Sequence, residues 1–179
     1  MEKIQQAIVD DFGRGYAKFG HSELLGRVVG LLICSAEPLT EEQISEALHV
    51  SKSPINQITS RLEELNLAKR VRIKGDRKFY YQISPDVFLQ AGINLSRLLE
   101  DNLRIAESHL EPLLRKYAEA STEEKVRLKP VCERMIAMRE FHLREISAYK
   151  KLLEEWQSAR QTLPSVEEYL EKWVIKEAS

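Results

Sequence analysis

Eight basic side chains fall between residues 51 and 80 (Lys52, Arg61, Lys69, Arg70, Arg72, Lys74, Arg77 and Lys78), against three acids (Glu63, Glu64 and Asp76). The 179-residue chain is formally −1, so a segment carrying +5 sits on a remainder carrying −6. A compact basic stretch on a mildly acidic body suits phosphate binding, because repulsion elsewhere orients the encounter. A solvated charge run has the same composition, and the element carrying the charges decides between the two. Ser53, Asn56, Gln57 and Ser60 are interleaved with these cations. Asn and Gln can make bidentate contacts with adenine, Ser serves either base partner, and Lys or Arg pairs with phosphate or guanine.

Other chemistries lack their residues. The histidines (His21, His49, His109 and His142) form no HExxH, and the lone Glu-x-x-His, Glu46 to His49, has no second copy to complete a di-iron set. Cys34 and Cys132 are far apart in apolar surroundings and read as reduced core thiols. No glycine-rich phosphate loop or nucleophile elbow occurs, so neither an enzyme nor a bound cofactor or metal is expected. Hydrophobic residues make up 43% and charged residues 31%, too apolar for a disordered tail and too interrupted by charge for a membrane span. The first residues carry acids and no cleavable apolar segment, so the expected location is the cytoplasm, without membrane contact.

The elements that must position the basic segment follow from periodicity and punctuation. Ile4, Ile8 and Phe12 mark a first helix reaching about Tyr16, with Gly20 as a left-handed stop. Ser22 caps a helix from Glu23 to about Ser35 that is apolar nearly all round, with Gly26 and Gly30 permitting close backbone approach. Thr40 and Gln43 form a capping box for a two-turn helix, and His49-Val50 is the turn after it. The next helix starts at Ser51 to Pro54, turns Ile55, Ile58, Leu62 and Leu65 inward, and stops at Asn66. Its outward face is Lys52, Ser53, Asn56, Gln57, Ser60 and Arg61. Two strands follow: Val71 and Ile73 alternate with basic residues, and Phe79, Tyr81 and Ile83 alternate with Lys78, Tyr80 and Gln82. If Val71 and Phe79 share the buried face, the loop has odd length, most simply Lys74-Gly75-Asp76. Short helix, tight turn, second helix and basic hairpin make a winged helix-turn-helix, in which the second helix enters the major groove and Lys74, Arg77 and Lys78 on the wing reach phosphates or the minor groove.

Residues 20–83 resemble the GbsR-type branch of the MarR superfamily of winged-helix transcription regulators. The resemblance is carried by Gly26-Arg27-x-x-Gly30, Glu37-Pro38-Leu39-Thr40, Ser51-Lys52-Ser53, and Gly75-Asp76-Arg77-Lys78 leading into Tyr80-Tyr81. It implies a homodimeric DNA-binding regulator whose flanking helices pair two subunits, with Ser53, Asn56, Gln57 and Ser60 facing base edges. Relatives of this type usually have Gly and Val where this chain has Asn66 and Ala68; Asn tolerates the left-handed region, so the fold is unaffected. The same resemblance implies control by a small effector of the choline or glycine-betaine class. Tyr149 and Trp156 could line an aromatic cage for it, but their heptad-like positions read as interface packing, and no effector residue is assigned.

The C-terminal half is helical. Ser84-Pro85 caps a helix with a stripe of Leu95, Leu99, Leu103, Ala106, Leu110, Leu113 and Tyr117, and Glu111-Pro112 suggests a kink. Ser121 and Glu124 start another helix, interrupted near Pro130, after which Val131, Met135, Met138, His142, Ile146, Tyr149, Leu153 and Trp156 trace a second stripe. Pro164 breaks it, and Ser165 with Glu168 caps a last helix carrying Tyr169 and Trp173 on one side. Such stripes exceed what a winged helix covers and point to burial against a second copy. The expected architecture is therefore mostly α with a small β-wing: a dimerisation helix over 1–20, the winged helix-turn-helix over 21–84 and helical dimerisation elements over 85–179. The expected partner is double-stranded DNA, bound by a homodimer. A winged helix docking an acidic protein through its wing is the alternative, and salt-dependent duplex binding separates the two.

Overall fold

The computed structural model describes the backbone of residues 2–177 and the side chains of residues 2–171. In order come α1 (Lys3–Lys18), α2 (Glu23–Ile33), α3 (Glu41–Leu48), α4 (Lys52–Glu64), β1 (Ala68–Val71), β2 (Tyr80–Ile83), α5 (Val87–Glu119), α6 (Thr122–Ala159), a 3-10 turn over Arg160–Thr162 and α7 (Val166–Glu177). The chain divides into two compact units, residues 1–91 and 92–179.

In the first unit, α2 is the buried spine. The Ser22 hydroxyl accepts from the Leu25 N–H at its start, and Val28, Val29, Leu31 and Leu32 lose contact with water. Burial of each such side chain stabilises by about 1.5–3 kcal/mol. A Cβ on Gly26 would lie 2.5 Å from the Phe12 carbonyl oxygen, so glycine is required for α1 to lie against α2. Gly20 ends the α1 segment at φ 79° as expected. Thr40 and Gln43 cap α3 reciprocally, each side chain bonded to the other's backbone N–H. His49 (φ 56°) and Asn66 (φ 55°) turn the chain after α3 and α4 in left-handed conformations that Asn and His adopt more readily than most residues. Ile44, Leu48, Ile55 and Leu62 close the core over α2.

The hairpin differs from expectation in register. Ala68 pairs with Ile83, Arg70 with Tyr81 and Val71 with Tyr80, so Val71 and Phe79 do not share a face. The strands are joined by residues 72–79, an even number, and not by Lys74-Gly75-Asp76 alone. The Phe79 ring lies under the guanidinium carbons of Arg70 and Arg72, 4.6 and 4.5 Å from its centroid, and at 40% exposure it stays outside the core, on the face opposite Val71. Gly75 (φ 93°) does supply the positive φ of the tip, closed by the Asp76 N–H donating to the Ile73 carbonyl. Leu39 adds a further bridge, exchanging backbone hydrogen bonds with Tyr81 at 2.9 and 2.7 Å.

Two expectations for the C-terminal half also change. The Ser84 hydroxyl donates to the Asn66 carbonyl instead of capping a helix, and α5 begins at Val87. Helix α6 runs unbroken through Pro130 and is not interrupted there. An internal proline deletes one i→i−4 bond, which a long helix tolerates when the neighbouring bonds survive. The capping pairs at Ser121–Glu124 and Ser165–Glu168 form as read.

In the second unit α5 and α6 cover each other. Leu99, Ala106, Cys132 and Ile146 are buried, a Cβ on Gly92 would meet Leu153, and Arg139–Glu107 (3.4 Å) and Lys150–Glu100 (3.5 Å) pair across the helices. The two stripes therefore pack within one chain, not solely against another copy. Leu95 and Val131, assigned to those stripes, are instead exposed. Tyr169 is exposed, and Trp173 lies outside the residues whose side chains are described.

Candidate nucleic-acid interface

Helix α4 has two faces. Ile55, Thr59 and Leu62 are buried, so the residues between them at helical spacing point outward, and Lys52, Ser53, Asn56, Gln57, Ser60 and Arg61 are all exposed. Lys74, Arg77 and Lys78 are exposed on the connection between β1 and β2.

The expected residues are not all brought together. Lys52, Asn56 and Lys78 line one open groove of about 430 Å³ with Thr40, Glu41, Glu42, Arg70, Phe79 and Tyr81. Ser53, Gln57, Ser60, Arg61, Lys74 and Arg77 are not among its lining residues. Arg61 pairs with Glu64 along α4 at 2.8 Å.

Two acids at the start of α3 organise this groove. One oxygen of Glu41 accepts from Asn56 Nδ2 (3.1 Å), Thr59 Oγ1 (3.0 Å) and Tyr81 Oη (3.1 Å), joining α3, α4 and β2. Burial first, with the Glu41 contact adding to it, pushes the Tyr81 hydroxyl above its usual pKa. Glu42 takes Lys52 Nζ on one oxygen (2.6 Å) and Lys78 Nζ on the other (2.7 Å). These two ammonium groups hold the Glu42 carboxyl down at about 2, and Glu42 in turn raises Lys78. On the wing, Asp76 accepts from the Lys78 backbone N–H (2.8 Å) and from Tyr80 Oη (2.7 Å), which lowers its own pKa and raises that of Tyr80.

Glu41, Glu42, Arg70, Arg72 and Phe79 were not singled out as site residues by sequence reasoning. A Glu-Glu pair just after an N-cap and just before a basic helix is the signal that could have found the first two.

Helix-turn-helix and wing thus share one exposed groove. The curated relatives that the chain matches are regulators. An HTH-type transcriptional repressor, OpcR of Bacillus subtilis (strain 168), is 27% identical over 88 residues, covering 49% of this chain and 48% of that protein. The HTH-type transcriptional regulator MmpR5 of Mycobacterium tuberculosis (strain ATCC 25618 / H37Rv) is 28% identical over 81 residues, covering 45% and 49%. The chain is similar to helix-turn-helix transcription regulators. It spans about half the length of these curated relatives. A solved structure described as a transcriptional regulator superposes with a TM-score of 0.67 at 21% identity over 86% of this chain and 98% of that one, so the fold is shared along most of the length. No family model matches the chain. Among the described residues there is no cluster of His, Cys, Asp or Glu that could hold a metal ion, and no helix long and apolar enough to cross a membrane.

Proposed function

We propose that this chain is a sequence-specific regulator of transcription that binds duplex DNA as a homodimer on a pseudo-palindromic operator, in the cytoplasm and without catalytic activity. The observation that carries the reading is the joint groove of α4 and the wing, in which Lys52, Asn56, Arg70 and Lys78 converge on one exposed surface. The proposed contacts are Lys52, Ser53, Asn56, Gln57, Ser60 and Arg61 from α4 and Lys74, Arg77 and Lys78 from the wing. Asn56 and Gln57 are the base readers and the cations are the phosphate contacts.

A second copy is supported by an apolar set that the α5–α6 pairing leaves uncovered. Leu95, Leu98 and Ile105 are exposed on α5 and follow one another at helical spacings of 3 and 7. Exposed apolar side chains in such a row favour burial against a symmetry mate. The exposed Ile4 and Phe19 at the ends of α1 extend the same role to residues 1–20. A two-fold dimer would set its recognition helices about 34 Å apart. Control by a small effector fits the resemblance of residues 20–83, with no residue assigned to it.

Selection of bound genomic fragments by the purified protein, with its mass in solution, tests the reading. An enriched inverted repeat supports it; salt-insensitive binding with no repeat favours a protein-docking winged helix. Lys74→Ala or Arg77→Ala should flatten the log–log salt slope by about 1 each. Asn56→Ala or Gln57→Ala should relax base preference by about 1–3 kcal/mol per lost contact.

A further inference from the structure

Lys52 opens α4 and Lys78 stands on the wing, yet their ammonium groups meet on the two oxygens of a single carboxylate. Like charges converge this way only around an anion. A carboxylate with one ammonium on each oxygen has the same donor arrangement as a phosphodiester gripped through its two non-bridging oxygens.

We propose that the Glu42 carboxylate occupies, in the free protein, the seat of one DNA backbone phosphate between α4 and the wing, so that a bound duplex displaces it from Lys52 and Lys78. The inference rests on the DNA-binding reading and adds to it the location of one phosphate and a residue that opposes its entry.

Three observations carry the exchange. The bridge is open to solvent: the side chains of Glu42, Lys52 and Lys78 are 43%, 64% and 58% exposed, where an ion pair holds two groups in place without holding them tightly. The groove beside it has room for an incoming backbone and is also lined by Arg70, whose guanidinium, paired through Nε with Glu63 at 3.3 Å, places a further cation next to the seat. Displaced Glu42 keeps a favourable position, because it lies in the first turn of α3, where the helix dipole stabilises a negative charge.

The bridge also explains how the wing is held before DNA arrives. Lys78 reaches α3 across 36 positions of sequence, so the anion that delays the phosphate also keeps the wing lysine beside α4.

The test compares the wild type, Glu42→Gln, Glu42→Asp and Asp11→Asn by fluorescence anisotropy with a mixed-sequence duplex of about 30 base pairs at about 50 mM salt. Asp11 pairs with Arg14 on α1, so its variant makes the same change in net charge away from the groove. Glu42→Gln should bind roughly 3- to 30-fold more tightly than the wild type, the range set by release of two exposed ion pairs. Asp11→Asn should stay within about twofold. Glu42→Asp keeps the charge but shortens the reach, and should fall between wild type and Glu42→Gln. If Glu42→Gln binds no more tightly than Asp11→Asn, or if Glu42→Asp equals the wild type, the seat is wrong while DNA binding by the wild type stands. If wild type and variants all fail to retain the duplex, the DNA-binding reading fails and the inference falls with it.

Discussion

In residues 1–91 the large side chains Leu32, Ile44, Leu48, Ile55 and Leu62 are sealed on every side. In residues 92–179 the buried apolar side chains among those described are Leu99, Ala106, Cys132 and Ile146, while Leu95, Leu98, Ile105, Phe141 and Leu152 stand in water. The difference follows from layering. Helix α2 has neighbours in α1, α3 and β2, whereas α5 and α6 can cover only one stripe of each other. The first unit has the core of an independent domain; the second has helices with apolar surface to spare.

Substitutions can break or sharpen that contrast. Leu62→Ala should lower the stability of the first unit by about 2–5 kcal/mol in urea unfolding, because a sealed site cannot collapse around the lost atoms. Gly26→Ala should cost about 1–3 kcal/mol in the same assay, as the added methyl meets the Phe12 carbonyl and outweighs the gain in helix propensity. Leu98→Ala in the second unit should change the unfolding free energy of the isolated chain by no more than about 0.5 kcal/mol and show its effect in sedimentation as weaker self-association. A large loss of chain stability there would mean that Leu98 belongs to a core. The smallest effect concerns pH. The Glu42 carboxyl is held at about 2, below its unfolded value of about 4.3, so its contribution to stability is present at neutral pH and fades as pH falls from about 5 towards 2. Glu42→Gln should therefore show a slightly flatter melting temperature against pH over that interval than the wild type.

Features written in a few adjacent residues were legible in the sequence. Thr40 with Gln43, Ser121 with Glu124 and Ser165 with Glu168 cap the helices they announce, Asn66 takes the left-handed conformation assigned to it, and of Gly75 and Asp76, either of which suited the tip, Gly75 takes the positive φ. The inward face of α4 was legible for the same reason, and its outward residues are exposed as read. What could not be read was set by pairing between distant segments. The strand register, which pairs Val71 with Tyr80 and leaves Phe79 beside Arg70 and Arg72, is set between two segments, and alternation within each segment does not carry it. The groove was half seen: its lysines stood out as charge, but the acids that hold them lie on α3, 10 and 36 positions away. Pro130 did not end its helix, because the rest of the 38-residue α6 holds the chain helical on both sides of it.

The ring of Phe79 has a consequence for whatever the wing meets. A free arginine side chain surrenders about 1.5–2 kcal/mol of rotational freedom when it is fixed. Arg70 and Arg72 both sit over this one ring, and Arg70 is also paired through Nε with Glu63 at 3.3 Å, so each has given up part of that freedom in advance. These two arginines thus meet a partner with part of their ordering done before contact is made.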